Sequence, residues 1–157
     1  MKKILITGIS GYIGSCLYFY LKNNFSVSGL DKKINKHYSI NQCDLLNIKK
    51  IEKILKQEKP DLIVHLAAQS LVDETINKNK YFSNNVVATK NLIYAMKKNN
   101  LKNLIFSSTA AVYKFNNKTL NEKSKIRPKS TYAQTKYECE KIIKKSKLNT
   151  IILRFFN

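Results

Sequence analysis

The twenty residues ILITGISGYIGSCLYFYLKN, positions 4–23, constrain the fold more than any other part of the sequence. No charged residue occurs between Lys3 and Lys22. A run of this length approaches that of a membrane-spanning helix, and the basic residues before it resemble the start of a signal peptide. Glycine recurs at every third position, however, and each glycine costs a helix about 1 kcal/mol relative to alanine. No A-x-A-like cleavage site follows, so the segment favours neither a membrane helix nor a signal peptide.

A phosphate-binding turn between a strand and a helix explains the same segment better. Residues 4–6 are apolar and rich in β-branched side chains, as in a buried parallel strand. Three glycines follow at once: Gly8, Gly11 and Gly14. Glycines at such a turn let a pyrophosphate approach the backbone, and the helix N-terminus offers free N–H groups. Asp31, at the end of the next predicted strand, is the acidic residue that such a site uses for a ribose.

Strand-like and helix-like segments alternate through the rest of the chain. Further strands are predicted over residues 39–42, 62–64, 104–106 and 151–155, and helices over 47–57, 79–99 and 131–146. Such alternation with short connections is typical of an α/β fold with a doubly wound parallel sheet, and the length fits one domain over residues 1–157. Ligands of these sheets bind at the carboxyl ends of the strands.

The net charge of +19 raises the question of nucleic-acid binding. The lysines are spread over nearly every predicted element, and no helix-turn-helix, zinc-finger or RNA-binding aromatic motif occurs. We therefore expect neither nucleic acid nor a membrane as partner, although the positive field would help to recruit an anionic ligand. The three cysteines have no metal-ligand or redox spacing, which indicates no metal site and a reducing, cytoplasmic location: Cys16, Cys43 and Cys139.

Tyr132 and Lys136 lie four residues apart in the last predicted helix, so they share one helical face. A nearby ammonium group lowers the pKa of a tyrosine hydroxyl, which is about 10 in water, and makes it a usable base. Tyr132 can then take a proton from a sugar hydroxyl as hydride leaves the same carbon. Three hydroxyl groups at a strand end can hold the reacting oxygen: Ser107, Ser108 and Thr109.

These motifs together resemble the extended short-chain dehydrogenase/reductase family, and within it the NAD-dependent epimerases and dehydratases, closest to the UDP-glucose 4-epimerases. The matching segments cover the whole chain in family order: 7–14 (TGISGYIG), 65–68 (HLAA), 84–86 leading to Thr89, 106–109 leading to Tyr113, 132–136, and 154–157 (RFFN). The resemblance implies a Rossmann fold, NAD as cofactor, and epimerisation of a nucleotide sugar at C4.

The resemblance also assigns roles to individual residues. The residues implied for the pyrophosphate are Gly8, Gly11, Tyr12, Ile13 and Gly14. Asp31 would bind the adenosine ribose and favour NAD over NADP, and Asp44 and Leu45 would flank the adenine. The other implied cofactor contacts are Leu66, Ala67, Ala68, Asn85, Ser107, Tyr132 and Lys136. Thr109, Tyr132 and Lys136 would be catalytic, and Thr109, Tyr132 and Asn157 would contact the substrate.

Several alternatives stay open at this point. Lys32 and Lys33, next to Asp31, can instead accept a 2′-phosphate; His65 can be a packed strand-end residue; and Asn84 and Asn85 can cap a helix. The related 4,6-dehydratases require an acid–base pair directly after the catalytic threonine. Residues 110–111 of this chain are both alanine, which favours the epimerase reaction.

Family members continue beyond the RFFN segment into a substrate-binding region. The sequence is therefore expected to be the cofactor half alone, which binds NAD but turns over nucleotide sugar, a UDP-hexose, poorly without that region. The complete enzyme is expected to be a homodimer, and exposed apolar surface predicts self-association. A non-catalytic dinucleotide-binding remnant is the alternative to the enzyme.

Overall fold

In the part of the chain that the structure describes, six parallel strands form one sheet in the order β3-β2-β1-β4-β5-β6. The structure is a computed structural model and describes residues 1–34, 38–70, 77–115 and 119–156. The strands are β1 Lys3–Thr7, β2 Ser26–Asp31, β3 Ile40–Gln42, β4 Leu62–His65, β5 Asn103–Thr109 and β6 Asn149–Phe155. All six predicted strands are confirmed, and the chain order reverses between β1 and β4. In sheets of this kind that reversal opens a ligand crevice.

Within the described ranges, five α-helices connect the strands: α1 Tyr12–Leu21, α2 Ile48–Glu58, α3 Lys78–Tyr81, α4 Ala88–Lys98 and α5 Thr131–Lys145. The predicted amphipathic helix over 47–57 is confirmed as α2, and the Asn47 side chain caps it by accepting the Lys50 N–H. The predicted helix over 79–99 consists of α3, a π-helical turn, Phe82–Val87, and α4. Helical periodicity locates the whole segment but does not distinguish a π turn from an α turn.

The two faces of the sheet are covered unequally. Side chains of α2, α4 and α5 bury one face together with alternate strand residues such as Leu5 and Phe106. The other face, which includes Ile4 and Ile6, packs against α1. The doubly wound arrangement predicted from the sequence is therefore confirmed.

The uncharged run that raised the membrane question is divided between β1, the glycine turn and α1. Helix α1 has ten residues, far fewer than the roughly 20 that a bilayer requires. Within the described residues, no helix has the length and apolarity to cross a membrane.

Strand β6 is an edge strand whose residues alternate between half-buried and exposed. Its exposed side chains include Ile151, Leu153 and Phe155. Apolar exposure of this extent agrees with the surface that the sequence predicted, and sedimentation in solution is the test of the self-association expected from it.

Candidate functional site

A cleft of about 580 Å³ opens at the carboxyl ends of the strands, on both sides of the β1–β4 junction. Fourteen of the fifteen predicted cofactor residues line it: Gly8, Gly11, Tyr12, Ile13, Gly14, Asp31, Asp44, Leu45, Leu66, Ala67, Ala68, Ser107, Tyr132 and Lys136. Residues dispersed over more than 120 positions of the sequence thus meet in one site.

The glycine turn requires glycine for steric reasons. Gly8 has a φ of +74°, and a Cβ placed there would lie 2.8 Å from the backbone N and Cα of Ala67. A Cβ on Gly14 would lie 2.4 Å from the Gly8 carbonyl oxygen. The turn therefore packs directly on the neighbouring strand end and on the first turn of α1.

The N-terminus of α1 points its free N–H groups into the cleft. Gly11 is the N-cap and has no side chain to occupy them, and no acidic residue lies in the first turn. Tyr12, Ile13 and Gly14, the first three helical residues, all line the cleft. Ile13 is half exposed there. Free N–H groups and the helix dipole fit a pyrophosphate.

Asp31 ends β2 with both carboxylate oxygens already positioned. Oδ2 accepts the Ser10 N–H at 3.0 Å, and Oδ1 accepts the Lys33 N–H at 3.1 Å. These bonds connect the glycine turn to the end of β2 and fix the carboxylate at the cleft wall. Each oxygen keeps a lone pair, which suits the hydroxyl groups of a ribose.

A buried hydrogen-bond chain supports the cleft from below. The Ala67 N–H donates to Thr7 Oγ1 at 3.2 Å, and Thr7 Oγ1 lies 2.7 Å from His65 Nδ1. His65 Nε2 lies 3.0 Å from Thr89 Oγ1, which donates to the Asn85 carbonyl oxygen at 2.6 Å. Since the Thr89 proton is committed to Asn85, we assign the His65 proton to Nε2 and the Thr7 proton to the bond with Nδ1. His65 is therefore a packed, neutral residue that holds the glycine turn and residues 66–68 in register.

The buried state of His65 predicts acid sensitivity. Burial, with a contribution from the Lys136 charge, lowers the pKa of His65 from 6.5 to about 3. Below pH 6.5 His65 binds a proton in the unfolded chain, whereas in the folded chain it stays neutral until about pH 3. The folded state therefore loses stability as the pH falls through this range. We expect the free energy of unfolding to lose about 1.4 kcal/mol per pH unit from this group in that window.

Chemical denaturation at a series of pH values measures this slope. His65→Gln should flatten this slope, because it removes the titrating imidazole. Equal slopes for wild type and His65→Gln would contradict the assignment.

Asn85, predicted to contact the cofactor, does not line the cleft. Its Oδ1 accepts the Gln69 N–H at 2.7 Å, and its Nδ2 donates to the Gln69 carbonyl at 3.3 Å and to Thr135 Oγ1 at 2.9 Å. It therefore joins the chain after β4 to helix α5. The π turn places its neighbour Asn84 in the cleft lining instead. Neither asparagine is a helix cap.

Tyr132, Lys136 and Ser107 form the other end of the cleft. Lys136 is almost fully buried, with Nζ 4.4 Å from the Phe106 ring centroid. Burial lowers the pKa of Lys136 to about 8, although Cys139 and Glu140 oppose the shift. The pKa of Tyr132 is raised, not lowered, because burial disfavours the phenolate. The lowering that the spacing to Lys136 predicts is therefore wrong for this structure, in which burial is the cause of the shift.

Thr109, predicted for catalysis and for the substrate, is not among the residues that line the cleft. Thr109 is buried at the end of β5, outside the cleft lining, and its Oγ1 accepts the Ala111 N–H at 3.2 Å. This bond begins a short 3₁₀ helix, Ala110–Val112. Asn157 lies outside the described residues.

A buried ion pair near the site was not predicted. Arg154 donates to both carboxylate oxygens of Glu140, from Nε at 2.9 Å and from a terminal nitrogen at 2.6 Å. Ser108 Oγ donates to the same carboxylate at 2.6 Å. Burial alone would raise the pKa of Glu140, but the bonds from Arg154 and Ser108 lower it overall. The pair fastens α5, and with it Tyr132 and Lys136, to β5 and β6.

Comparison with known proteins identifies relatives over the whole chain. The sequence model of the NAD dependent epimerase/dehydratase family matches residues 4–157. A UDP-glucose 4-epimerase of Lactobacillus helveticus is 36% identical over 169 residues, which cover 99% of this chain and 51% of that protein. The chain thus spans about half the length of the curated relatives that it matches.

Solved structures give the same result. The UDP-Glc/GlcNAc 4-epimerase of Campylobacter jejuni superposes with a TM-score of 0.90 at 32% identity, over all of this chain and 54% of that one. The UDP-glucose 4-epimerase of Brucella ovis, solved in complex with NAD, superposes with a TM-score of 0.93 at 25% identity, over all of this chain and 52% of that one.

Proposed function

The chain belongs to the NAD-dependent epimerase/dehydratase family, and we propose that residues 1–157 are the NAD-binding domain of a nucleotide-sugar 4-epimerase. The single observation that supports this most strongly is the convergence of the glycine turn, Asp31, Tyr132 and Lys136 on one cleft. A structural neighbour that contains NAD has this fold, which supports NAD as the cofactor.

The residues of the cleft fit a dinucleotide along its length. Backbone N–H groups of α1 would hold the pyrophosphate, Asp31 the adenosine ribose, and Asp44 and Leu45 the adenine. Leu66 to Ala68 line the cleft, and Ala67 lies against Gly8, so this segment would pass beneath the cofactor. Bound NAD+ would supply the hydride acceptor.

Tyr132 would move the proton of a sugar hydroxyl. With a pKa of about 8, Lys136 is largely charged at neutral pH and would hold the nicotinamide ribose beside Tyr132. Ser107 lines the cleft next to them and would hold the reacting oxygen, while Thr109 has this role only by resemblance. The cycle would oxidise C4 of the sugar, allow the oxidised sugar to rotate within the site, and reduce C4 on its opposite face.

Two alternative functions differ from the proposed epimerase in features that the chain can be checked for. A 4,6-dehydratase would need an acid–base pair after Thr109, and the 3₁₀ helix there begins with two alanines. A non-catalytic dinucleotide-binding domain would keep the cleft without turnover. The UDP-hexose substrate is inferred from the relatives, and the homodimer is inferred from the family resemblance. The three free cysteines suit a reducing cytoplasm.

The choice between NAD and NADP tests this function at Asp31. A carboxylate favours ribose hydroxyls and repels a 2′-phosphate, so Asp31→Asn should reduce the preference for NAD+ over NADP+ by about tenfold. Calorimetric titration of the parent chain and of Asp31→Asn, each with NAD+ and with NADP+, measures this preference. Ser15→Ala is the control and should leave this preference unchanged, because Ser15 does not line the cleft and its hydroxyl donates to the Tyr12 carbonyl oxygen. An unaltered preference in Asp31→Asn would remove Asp31 from the ribose site.

A further inference from the structure

The side chain of Lys32 crosses the adenosine end of the cleft. Its Nζ lies 3.1 Å from Asp44 Oδ2 and 3.2 Å from Asn84 Oδ1, to which it donates. Lys32 follows β2, Asp44 follows β3, and Asn84 lies in the π turn, so three separate elements contribute. All three residues line the cleft. The Lys32 ammonium group is thus held by the Asp44 carboxylate, which follows β3, and by the Asn84 amide, which lies in the π turn.

This arrangement bears on the ribose site beside it. The sequence places two lysines directly after Asp31, and the net charge of +19 favours any ligand with additional negative charge. A 2′-phosphate near Asp31 would meet a carboxylate fixed by Ser10 and Lys33, and it would need a cation to compensate. Lys32 and Lys33 are the adjacent cations, and the ammonium group of Lys32 is committed to Asp44 and Asn84.

We propose that Asp44 and Asn84 are selectivity-determining residues that hold Lys32 away from the ribose and thereby keep the cleft selective for a dinucleotide without a 2′-phosphate. This inference rests on the proposed dinucleotide function and extends it beyond Asp31. The side chains of Lys32 and Asp44 are 53% and 43% exposed, so solvent screens the pair. Its release therefore changes selectivity by about threefold to fivefold.

Asn84→Ala is the clearest test, because it frees one side of Lys32 without changing any charge. We expect the affinity ratio of NADP+ to NAD+, measured by calorimetry, to rise about threefold in Asn84→Ala and in Asp44→Asn. Asp44 also faces the proposed adenine site, so both affinities can fall in its variant while the ratio still rises. Thermal unfolding of each variant confirms that the fold is retained.

Lys32→Met supplies the matched background, because it keeps most of the side-chain length and removes the charge. In that background neither Asn84→Ala nor Asp44→Asn should change the ratio. An equal rise with and without Lys32 would overturn the proposal, since the effect would then come from Asp44 alone or from altered shape. An unchanged ratio in both single variants would also overturn it. Absence of binding of either dinucleotide to the parent chain would instead refute the proposed function itself.

Discussion

Replacing Tyr132 with phenylalanine is expected to abolish hydride transfer while leaving NAD+ affinity within about twofold. The phenol oxygen of Tyr132, in its phenolate form, is the proposed proton acceptor in the cleft, and phenylalanine keeps the ring but lacks this oxygen. Loss of a general acid–base group costs roughly 10²- to 10⁴-fold in rate. Formation of reduced nicotinamide after addition of UDP-galactose, followed by absorbance, measures the chemistry, and calorimetry measures the affinity.

Tyr137→Phe is the matched control on the same helix, since Tyr137 contacts Lys141 and does not line the cleft. It should alter neither measurement. Reduced nicotinamide formed at the parental rate by Tyr132→Phe would show that another group moves the proton.

Arg154→Met is expected to destabilise the fold by about 3–5 kcal/mol, the largest stability change that the described contacts predict. The Glu140 side chain has no solvent exposure, and the substitution leaves it with Ser108 as its remaining hydrogen-bond donor. Urea denaturation measures the loss. Arg127, the chain's other arginine, is exposed and provides the control. Arg127→Met should change the free energy of unfolding by less than about 0.5 kcal/mol.

Glu140→Gln and the double variant show whether the pair is the cause. Arg154 is 14% exposed and lies 4.7 Å above the Tyr113 ring, so an unpaired Arg154 is tolerated better than an unpaired Glu140. The double variant should therefore be more stable than Arg154→Met alone.

The acid dependence of the same pair provides a second check. The pKa of Glu140 is lowered from 4.5, so the pair's contribution is present above that pH and is lost as pH falls through the folded value. The difference in the free energy of unfolding between wild type and Arg154→Met should therefore become smaller below pH 4.5. A constant gap would exclude the carboxylate as the cause.

The fold could be predicted almost completely from the sequence, for physical reasons visible in single elements. Parallel strands buried on both faces are short apolar runs, as at residues 62–64, and helices such as α2 repeat apolar residues at 3.6-residue spacing. The π turn within 78–98 could not be predicted, because it shifts hydrogen bonds by one residue without changing composition.

The site was predictable where backbone geometry dictates the residue type. Gly8 needs a positive φ and Gly14 a close backbone contact, and both requirements leave a signal in the sequence. The roles of Asn85 and Glu140 depend instead on partners 16 and 14 residues away, whose proximity only the folded sheet creates. The direction of the Tyr132 pKa shift likewise depends on its burial, which spacing to Lys136 does not reveal.

Titration of the purified 157-residue chain with NAD+ by calorimetry tests the central claim most directly. The cleft formed by the glycine turn, Asp31 and Tyr132 predicts saturable binding of one NAD+ per chain. Subsequent UDP-galactose then shows whether reduced nicotinamide forms as well. Absence of NAD+ binding by a folded chain would contradict the assignment of this cleft as a dinucleotide site.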